Sequence, residues 1–400
     1  MSGTVEILKK YNQNHILELP TSKKQLELLE NIDLEKLLSG SKKLSTSSVD
    51  TSRFTFDSID VLPVETIQKN ECNKDRYYNH GISQLRNQKL AIVILSGGQS
   101  SRLGYNHAKG MYDVGITRSI SIFELLLDSL MRLVKETSIP IPLYIMTSAD
   151  NHEEIQQFFA SHNYFGYSSQ YIEFFMQNEY PALDSEGKIY LTPDNEMLML
   201  PSGNGDWYEV LVKSGILDKP QYSEVEWFNV VSVDNPLQNM ADPVFFGAIL
   251  SSGCDVGAKV IKKVSPEEKV GVICKVEGKP QIVEYYELPS ALMHEKSESG
   301  EYKYQYGVTL NYIFRKSALD AHRNLEMPFH YVNKSVRVNS DTNIVLIKAE
   351  RLILDMISHY DKVCAYEIIR EKEFAPIKNR SGNDSVETAR TLLARNGITL

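Results

Sequence analysis

The chain has 400 residues, of which 42% are hydrophobic and 24% are charged, the ordinary balance of a water-exposed globular protein. Its 43 basic and 52 acidic residues give a net charge of −9, so we expect no nucleic acid partner bound through a general basic surface. The N-terminus has no apolar signal segment and no apolar run reaches membrane-spanning length, which predicts no membrane partner and a cytoplasmic location. The four cysteines are scattered, which argues against a zinc cluster or a disulfide scaffold.

Residues 1–89 are predicted to form a helical N-terminal region. Apolar residues recur at near-helical spacing from Lys23 to Leu38, so a helix is expected over that stretch. The Ser/Thr-rich segment 44–52 is typical of a loop.

From residue 90 the pattern changes to alternating strands and helices, which predicts an α/β fold with a mainly parallel sheet. Leu90–Leu95 is a short apolar run of the kind that forms a strand covered on both faces. Ser121 and Asp150, each followed three residues later by Glu, predict the starts of two helices, the second running to Phe159. Further strands of this sheet are expected at 142–147, 172–177 and 227–233.

The segment 256–314 holds several strand-like runs with few helices between them, so we expect an antiparallel extension that could wall a substrate pocket. A helix is expected at Ile347–Ser358 and a strand at 363–368.

A glycine-rich loop follows the strand Leu90–Leu95. Gly97, Gly98 and Gly104 would let the backbone approach phosphate closely, and Arg102 lies in the same connection. Lys109 follows seven residues after Arg102. The pattern matches neither a Walker A loop nor GxGxxG, and it favours a triphosphate site over its alternative, an ordinary surface turn with solvated charges.

Two further features carry weaker signals. The turn 201–205, Pro-Ser-Gly-Asn-Gly, could pack against a flat ligand such as a base, although turns of this kind usually just reverse the chain. Asp234 follows a predicted strand, where a carboxylate could face a ligand and hold Mg²⁺, or could simply cap a helix.

In combination, these motifs make the sequence resemble the eukaryotic UDP-N-acetylglucosamine pyrophosphorylases. The stretch LSGGQSSRLGYNHAKGMYDVG (95–115) is similar to the family's first motif, L-x-G-G-Q-G-T-R-L-G followed by P-K-G-M-Y-D-V-G. Six further blocks follow in family order, ending in YEIIREKEFAPIKN, and the similarity covers about residues 90–395.

The chain departs from the family pattern at a few positions. Serines stand at small motif positions, Ala108 replaces the proline before the motif lysine, and Asp206 replaces the usual glycine after Gly-Asn-Gly. The serines are Ser96, Ser100 and Ser101.

The resemblance implies a Rossmann-like nucleotidyltransferase domain over 90–345, with its sugar-binding part at 256–314. Residues 346–400 would complete that domain, giving a shortened C-terminal region in which the family's further C-terminal domain is largely absent. A monomer is the favoured oligomeric state.

The resemblance also implies UTP and a sugar 1-phosphate as substrates, Mg²⁺ or Mn²⁺ as cofactor, and a role for each matching residue. Arg102 and Lys109 would be the catalytic cations, and Asp234 would bind the metal. The sugar would be held by Asn204, Glu284, Tyr285 and Asn311. UTP would be bound by Leu95, Ser96, Gly97, Gly98, Lys109, Gln177, Gly203, Asp234, Lys348 and Lys378.

The implied reaction joins UTP and N-acetylglucosamine 1-phosphate into UDP-N-acetylglucosamine, with release of pyrophosphate and without a protein nucleophile. Two alternatives stay open at this point. The first is a UDP-glucose or broad-specificity UDP-sugar pyrophosphorylase, since the sugar pocket cannot be resolved from sequence. The second is a non-catalytic UDP-sugar-binding paralogue, against which the joint presence of the two loop cations, Asp234 and Lys378 argues.

Overall fold

The computed structural model describes residues 2–30, 32–41, 54–98, 100–323, 327–337 and 343–400. The chain divides into two compact units, and each is assembled from three separate stretches of sequence. The sheet unit comprises residues 51–176, 207–325 and 354–400. The helical unit comprises residues 1–50, 177–206 and 326–353. These units cut across the boundaries expected at residues 90 and 346, because strands and helices distant in sequence supply each core.

The sheet unit is built on an 11-stranded mixed sheet. Tyr306–Arg315 is antiparallel to both of its neighbours, and all other pairs along the main path are parallel. Three more strands, Ile59–Val61, Val272–Val276 and Lys279–Val283, extend it as antiparallel pairs. The order along the main path is Val64–Glu65, Val363–Glu367, Val256–Lys262, Tyr306–Arg315, Trp227–Ser232, Leu90–Leu95, Leu143–Thr147 and Ile172–Met176. This confirms the predicted α/β class with a mainly parallel sheet.

Helices cover the sheet through apolar faces. Every residue of the strand Leu90–Leu95 is buried, as expected of a strand with helices on both faces. Two helices, Ile67–Arg86 and Pro243–Ser252, approach so closely that a Cβ at Gly81 would lie 1.9 Å from the Pro243 carbonyl oxygen. The other α-helices of this unit are Ile122–Thr137, His152–Ser161, Trp207–Lys213, Ser290–Met293, Lys316–Ala321, Arg370–Glu373 and Val386–Arg395. Short 3₁₀-helices lie at Ser101–Leu103, Lys109–Met111, Asn163–Gly166, Ser169–Tyr171, Ile216–Asp218, Pro220–Tyr222 and Ile353–His359.

The helical unit packs four N-terminal helices on two small antiparallel hairpins. Leu8, Ile16 and Leu37 are fully buried in a cluster that also contains Ile347 and Ala349. The helices are Ser2–Lys10, Asn14–Leu17, Ser22–Leu29 and Leu34–Ser41. The hairpins pair Glu179–Pro181 with Met199–Pro201, and His330–Arg337 with Asn343–Glu350.

Three local predictions were wrong in detail. The helix expected from Lys23 to Leu38 is two helices, Ser22–Leu29 and Leu34–Ser41. The helix expected at Ile347–Ser358 begins as the strand Asn343–Glu350, because its apolar residues pack within a hairpin, and only a 3₁₀-helix follows. The loop predicted at 44–52 lies outside the described residues.

The third error concerns a helix start. Asn151, and not Asp150, is the N-cap of His152–Ser161, and its side chain makes no cap hydrogen bond there. That side chain is engaged elsewhere, as described below. By contrast, Ser121 caps Ile122–Thr137 as predicted, accepting from the Glu124 backbone N–H. No helix in the described ranges combines the length and apolarity that crossing a bilayer requires.

Candidate active site

The glycine-rich loop begins where the central strand Leu90–Leu95 ends. Asn151 fixes its start, since Asn151 Nδ2 donates to the Ser96 carbonyl oxygen at 3.1 Å while Oδ1 accepts from the Ser148 N–H at 2.8 Å. Gly97 is buried, whereas Gly98 is exposed and a Cβ there would meet nothing within 4 Å. The loop therefore leaves exposed backbone beside a fixed strand end.

Two buried serine hydroxyls of this loop are unsatisfied. Within the described residues, Ser96 Oγ and Ser100 Oγ have no hydrogen-bond partner. A buried hydroxyl without a partner costs free energy, so such groups mark places where a ligand or water completes the bonding. Ser100 lines a cavity of about 230 Å³ between the loop and the start of the helix His152–Ser161.

Arg102 and Lys109 lie on the same connection, each in its own 3₁₀ turn. Arg102 is exposed and Lys109 is half-buried, and neither is held in an ion pair among residues the structure describes. Gly110 follows Lys109 directly, and a Cβ there would lie 2.3 Å from the Phe123 ring. Glycine at this position therefore lets the Lys109 turn sit tightly on the helix Ile122–Thr137.

Asp234 lies beside the beginning of this loop. The strand Trp227–Ser232 runs parallel to Leu90–Leu95, and the Val233 N–H donates to the Leu95 carbonyl oxygen at 3.2 Å. Asp234 follows at once and is half-buried, and its carboxylate pairs with no cation in the described ranges. The predicted metal ligand and the predicted phosphate loop thus share one edge of the sheet.

Lys378 is brought to the same edge by a backbone hydrogen bond of the preceding residue. The Ile377 N–H donates to the Asp234 carbonyl oxygen at 2.8 Å, which places Lys378 next to the Asp234 turn. Lys378 Nζ lies 3.6 Å from an Asp384 carboxylate oxygen, so this cation is already partly neutralised.

The predicted sugar-binding residues of the sheet unit lie on, or directly after, two strands that both pair with Val272–Val276. Asn311 stands opposite Val231, within a register shift between Val308 and Tyr312 in which Leu310 has a φ of 54°. Its amide is buried and engaged: Oδ1 accepts from Asn229 Nδ2 at 2.8 Å, and Nδ2 donates to the Asn239 carbonyl oxygen at 3.3 Å. That engagement holds the side chain still, and its contact with a sugar stays a prediction.

Glu284 and Tyr285 directly follow the strand Lys279–Val283 and are half-buried. Burial raises the pKa of Tyr312, and the nearby Glu284 carboxylate raises it further. The Glu284 carboxylate is therefore within electrostatic reach of Tyr312, the residue after Asn311. The Tyr285 ring packs edge-on against Tyr286, with centroids 5.1 Å apart.

The sequence analysis missed a buried ionic cluster behind this edge. The Lys259 ammonium is fully buried and donates to Asp242 Oδ2 at 2.8 Å and to Glu373 Oε2. Partial burial raises the pKa of Glu373, because it disfavours the charged carboxylate. The available signal was Lys259 itself, a lysine with apolar residues on both sides in the strand Val256–Lys262.

Asn235 was missed as well. It is buried, its Nδ2 donates to the Glu373 carbonyl oxygen at 2.7 Å, and its Oδ1 accepts from the Ala375 N–H at 2.9 Å. Asn235 therefore ties the turn that carries Asp234 to the segment that leads to Lys378.

The other predicted ligand residues, Gln177, Gly203, Asn204 and Lys348, lie in the helical unit. Gly203 has a φ of +90°, and a Cβ there would lie 2.5 Å from the Arg351 carbonyl oxygen, so the turn needs glycine. Asn204 Oδ1 accepts from the Ile353 N–H at 2.9 Å. Lys348 Nζ bonds Glu350 at 2.6 Å.

Asp206, the departure after Gly-Asn-Gly, is buried and neutralised within the helical unit. Its Oδ2 accepts from the Tyr180 hydroxyl at 2.6 Å, and its Oδ1 lies 3.2 Å from an Arg351 nitrogen. The negative charge of Asp206 is therefore matched locally by the Arg351 guanidinium.

Among the residues that the structure describes, the sheet unit thus brings together exposed loop backbone, the cations Arg102 and Lys109 without ion pairs, two unsatisfied hydroxyls and the Asp234 carboxylate. This arrangement suits a polyphosphate, because the cations and N–H groups offset phosphate charge. No cluster of three metal-binding side chains occurs in the described part of the chain. The lone carboxylate of Asp234 is compatible with Mg²⁺, because proteins often hold Mg²⁺ through one or two carboxylates plus substrate phosphates.

Comparison with known proteins gives concordant matches. A family model described as UTP–glucose-1-phosphate uridylyltransferase matches residues 37–394. The UDP-N-acetylglucosamine pyrophosphorylase of Saccharomyces cerevisiae is 31% identical over 408 residues, covering 94% of this chain and 85% of the yeast protein. The human UDP-N-acetylhexosamine pyrophosphorylase-like protein 1 is 34% identical over 336 residues, which cover 80% of this chain and 66% of the human protein.

Among solved structures, the UDP-N-acetylglucosamine pyrophosphorylase of Trypanosoma brucei, determined with an inhibitor, matches with a TM-score of 0.79. The match covers 97% of this chain and 83% of that chain, at 23% identity. At this identity the likeness supports the fold, and it agrees with the mixed sheet described above.

Proposed function

Since the chain belongs to the uridylyltransferase family that includes the UDP-N-acetylglucosamine pyrophosphorylases, we propose that it makes UDP-N-acetylglucosamine and pyrophosphate from UTP and N-acetylglucosamine 1-phosphate. One observation carries the proposal. The 3.2 Å hydrogen bond from Val233 N–H to the Leu95 carbonyl oxygen brings Asp234 beside the loop that bears Arg102 and Lys109.

The reaction needs positioning and charge stabilisation more than a protein nucleophile. A phosphate oxygen of the sugar phosphate attacks the α-phosphorus of UTP, that new P–O bond forms, and the bond to pyrophosphate breaks in line. Arg102 and Lys109 oppose the negative charge that grows on the departing group. The Gly97–Gly98 backbone and the free Ser96 hydroxyl supply further donors.

Asp234 is the residue proposed to hold Mg²⁺ or Mn²⁺. When bound, the metal would neutralise phosphate charge and polarise the phosphorus–oxygen bonds of UTP. Lys378, tied to the Asp234 turn through Ile377, would add a cation to the same edge. For Gln177, Gly203, Asn204 and Lys348, contact with nucleotide or sugar stays a prediction that the family resemblance implies.

A second substrate choice is favoured by the matching family description, which names glucose 1-phosphate. The predicted sugar-binding residues Glu284, Tyr285 and Asn311 would have to distinguish an acetamide from a hydroxyl. A site built to pair a polar group can reject an analogue that lacks it by a large factor.

Release of pyrophosphate from UTP tests the proposal directly. The N-acetylglucosamine, N-acetylgalactosamine and glucose 1-phosphates would be compared side by side, each with and without Mg²⁺. We expect the highest kcat/KM for N-acetylglucosamine 1-phosphate and a requirement for the metal. Equal kcat/KM for glucose 1-phosphate would favour a broad-specificity enzyme, and no pyrophosphate from any sugar would favour a non-catalytic UDP-sugar-binding protein.

A further inference from the structure

A carboxylate from a distant helix fixes the backbone immediately before Lys109. Glu154 lies in the first turn of His152–Ser161, and its Oε2 accepts from the Ala108 N–H at 3.2 Å. Its Oε1 contacts Nδ1 of His107, the preceding residue. One side chain therefore ties two consecutive residues of the loop, and the next residue is Lys109.

The Lys109 turn is held from two directions. Behind it, Gly110 packs on the Phe123 ring, as described above. Before it, Ala108 is buried with a φ of −58° and a ψ of 136°. The cavity of about 230 Å³ is lined by Ala108 and Glu154. The side of the loop that faces this cavity is therefore not packed against other residues over its whole length.

The φ of Ala108 is the value that a proline ring would impose, and proline stands at this position in the family motif quoted above. Proline would fix the backbone covalently, whereas alanine leaves φ free and adds an N–H. In this chain the N–H is bound by the Glu154 carboxylate. A charge-assisted hydrogen bond of this kind is among the stronger ones that proteins form.

We propose that Glu154 is a positioning residue for Lys109, holding the 107–108 backbone in the conformation that aims the ammonium at the reacting phosphates. The proposal rests on the proposed function, since Lys109 acts there on UTP. Glu154 does not touch the substrate in this scheme. Its effect passes through His107 and Ala108, so its loss should impair the chemical step more than substrate affinity.

Steady-state kinetics of Glu154→Ala against a matched control tests the proposal. The control is Glu153→Ala, because Glu153 lies in the same helical turn, carries the same charge and is exposed. A displacement of about 1 Å can cost about 100-fold in rate, so we expect Glu154→Ala to lower kcat about 10- to 100-fold. KM for the sugar phosphate should change less than about threefold, and Glu154→Ala should stay fully folded at the assay temperature, with a melting temperature only modestly below that of Glu153→Ala because one charge-assisted hydrogen bond is lost.

A rescue by proline separates positioning from a general structural role. Ala108→Pro alone should lower kcat, because the ring removes the bonded N–H and faces the Glu154 carboxylate. In the Glu154→Ala background the same change should raise kcat by about fivefold or more, since the ring then fixes φ unopposed. Additive effects of the two substitutions would overturn the proposal, as would a Glu154→Ala enzyme as active as the Glu153→Ala control.

The outcomes distinguish this proposal from the proposed function. If the unaltered chain releases no pyrophosphate, the proposed function fails, and UTP binding by calorimetry then compares the same variants. We expect UTP to bind the Glu154→Ala variant at least about threefold more weakly than the Glu153→Ala control, with recovery in the proline double variant. Equal UTP affinities in all variants, or no UTP binding by any, would overturn the positioning role as well.

Discussion

Replacing Lys259 by methionine should remove about 3–5 kcal/mol of folding free energy, the usual cost of breaking a buried ion pair from one side. The ammonium is fully buried and bonds Asp242, Glu373 and the Asn239 carbonyl oxygen. Without it, the buried Asp242 carboxylate and the half-buried Glu373 carboxylate lose the cation that they share. Methionine fills a similar volume, so the loss reports charge and not a cavity.

A second substitution should recover much of that loss. Replacing a whole buried ion pair by apolar residues of similar size is often close to neutral. The variant with both Lys259→Met and Glu373→Met should therefore be more stable than Lys259→Met alone. Asp242 keeps a role in both proteins, because it caps Pro243–Ser252 by accepting from the Val244 N–H.

Urea unfolding followed by tryptophan fluorescence measures these differences. Both tryptophans, Trp207 and Trp227, are buried in the sheet unit that contains Lys259. The control is Lys262→Met, because Lys262 lies on the same strand in an exposed ion pair with Glu301 that should contribute at most about 1 kcal/mol. Equal losses in the two single variants would refute the reasoning.

The pH dependence gives an independent check. Burial raises the pKa of Glu373, and in the Lys259→Met variant no ammonium opposes that rise. A carboxyl whose pKa is raised on folding stabilises the protein below its unfolded pKa, and this stability is lost as the pH rises through the folded value. The cost of Lys259→Met should therefore be smaller at pH 5 than at pH 8, and a cost that grows on acidification would contradict the cluster's role.

Three further substitutions test the site. Lys109→Ala should lower kcat by about 10²–10³-fold, or about 3–4 kcal/mol, with little change in KM for the sugar phosphate. Steady-state kinetics measures the change, and a melting curve shows that the variant is folded. Near-normal kcat in a folded variant would remove Lys109 from the site. Asp234→Ala should abolish the rate increase that Mg²⁺ gives while UTP affinity, measured by calorimetry, falls less; normal turnover in saturating Mg²⁺ would refute the metal assignment. Gly203→Ala should destabilise the protein by about 1–3 kcal/mol in urea unfolding, because residue 203 has a positive φ and a Cβ there would meet Arg351. The control is Gly278→Ala, which shares a positive φ but meets nothing within 4 Å, and its loss should be smaller. Equal losses would contradict the close approach of Gly203 to Arg351.

The central sheet could be predicted because its signals are local. Leu90–Leu95 is apolar throughout, and Ser121 carries its own helix-start signal, so neither depends on distant residues. The helix predicted at Ile347–Ser358 was wrong for the opposite reason. Its spacing fits a helix, but its partner is the strand His330–Arg337, and pairing between strands outweighs propensity.

The candidate site divides in the same way. The loop cations and Asp234 could be proposed from sequence because the motif that holds each is continuous in sequence. Glu154 and the buried cluster around Lys259 were missed, because their partners lie 46 residues away at Ala108 and 114 residues away at Glu373. Such contacts become visible only once the sheet has set the neighbours of each strand.

The three-part assembly of the helical unit has a consequence for how this protein folds during synthesis. Leu8 and Ile16 pack with Ile347 and Ala349, so the first helices leave the ribosome long before their apolar partners exist. At ordinary elongation rates the delay is on the order of tens of seconds. Over that interval the N-terminal segment presents unburied leucine and isoleucine side chains, the kind of surface that chaperones retain. The sheet unit and the first forty residues should therefore become protease-resistant at different times during synthesis. The first forty residues should stay cleavable until the paired strands His330–Arg337 and Asn343–Glu350 have been made.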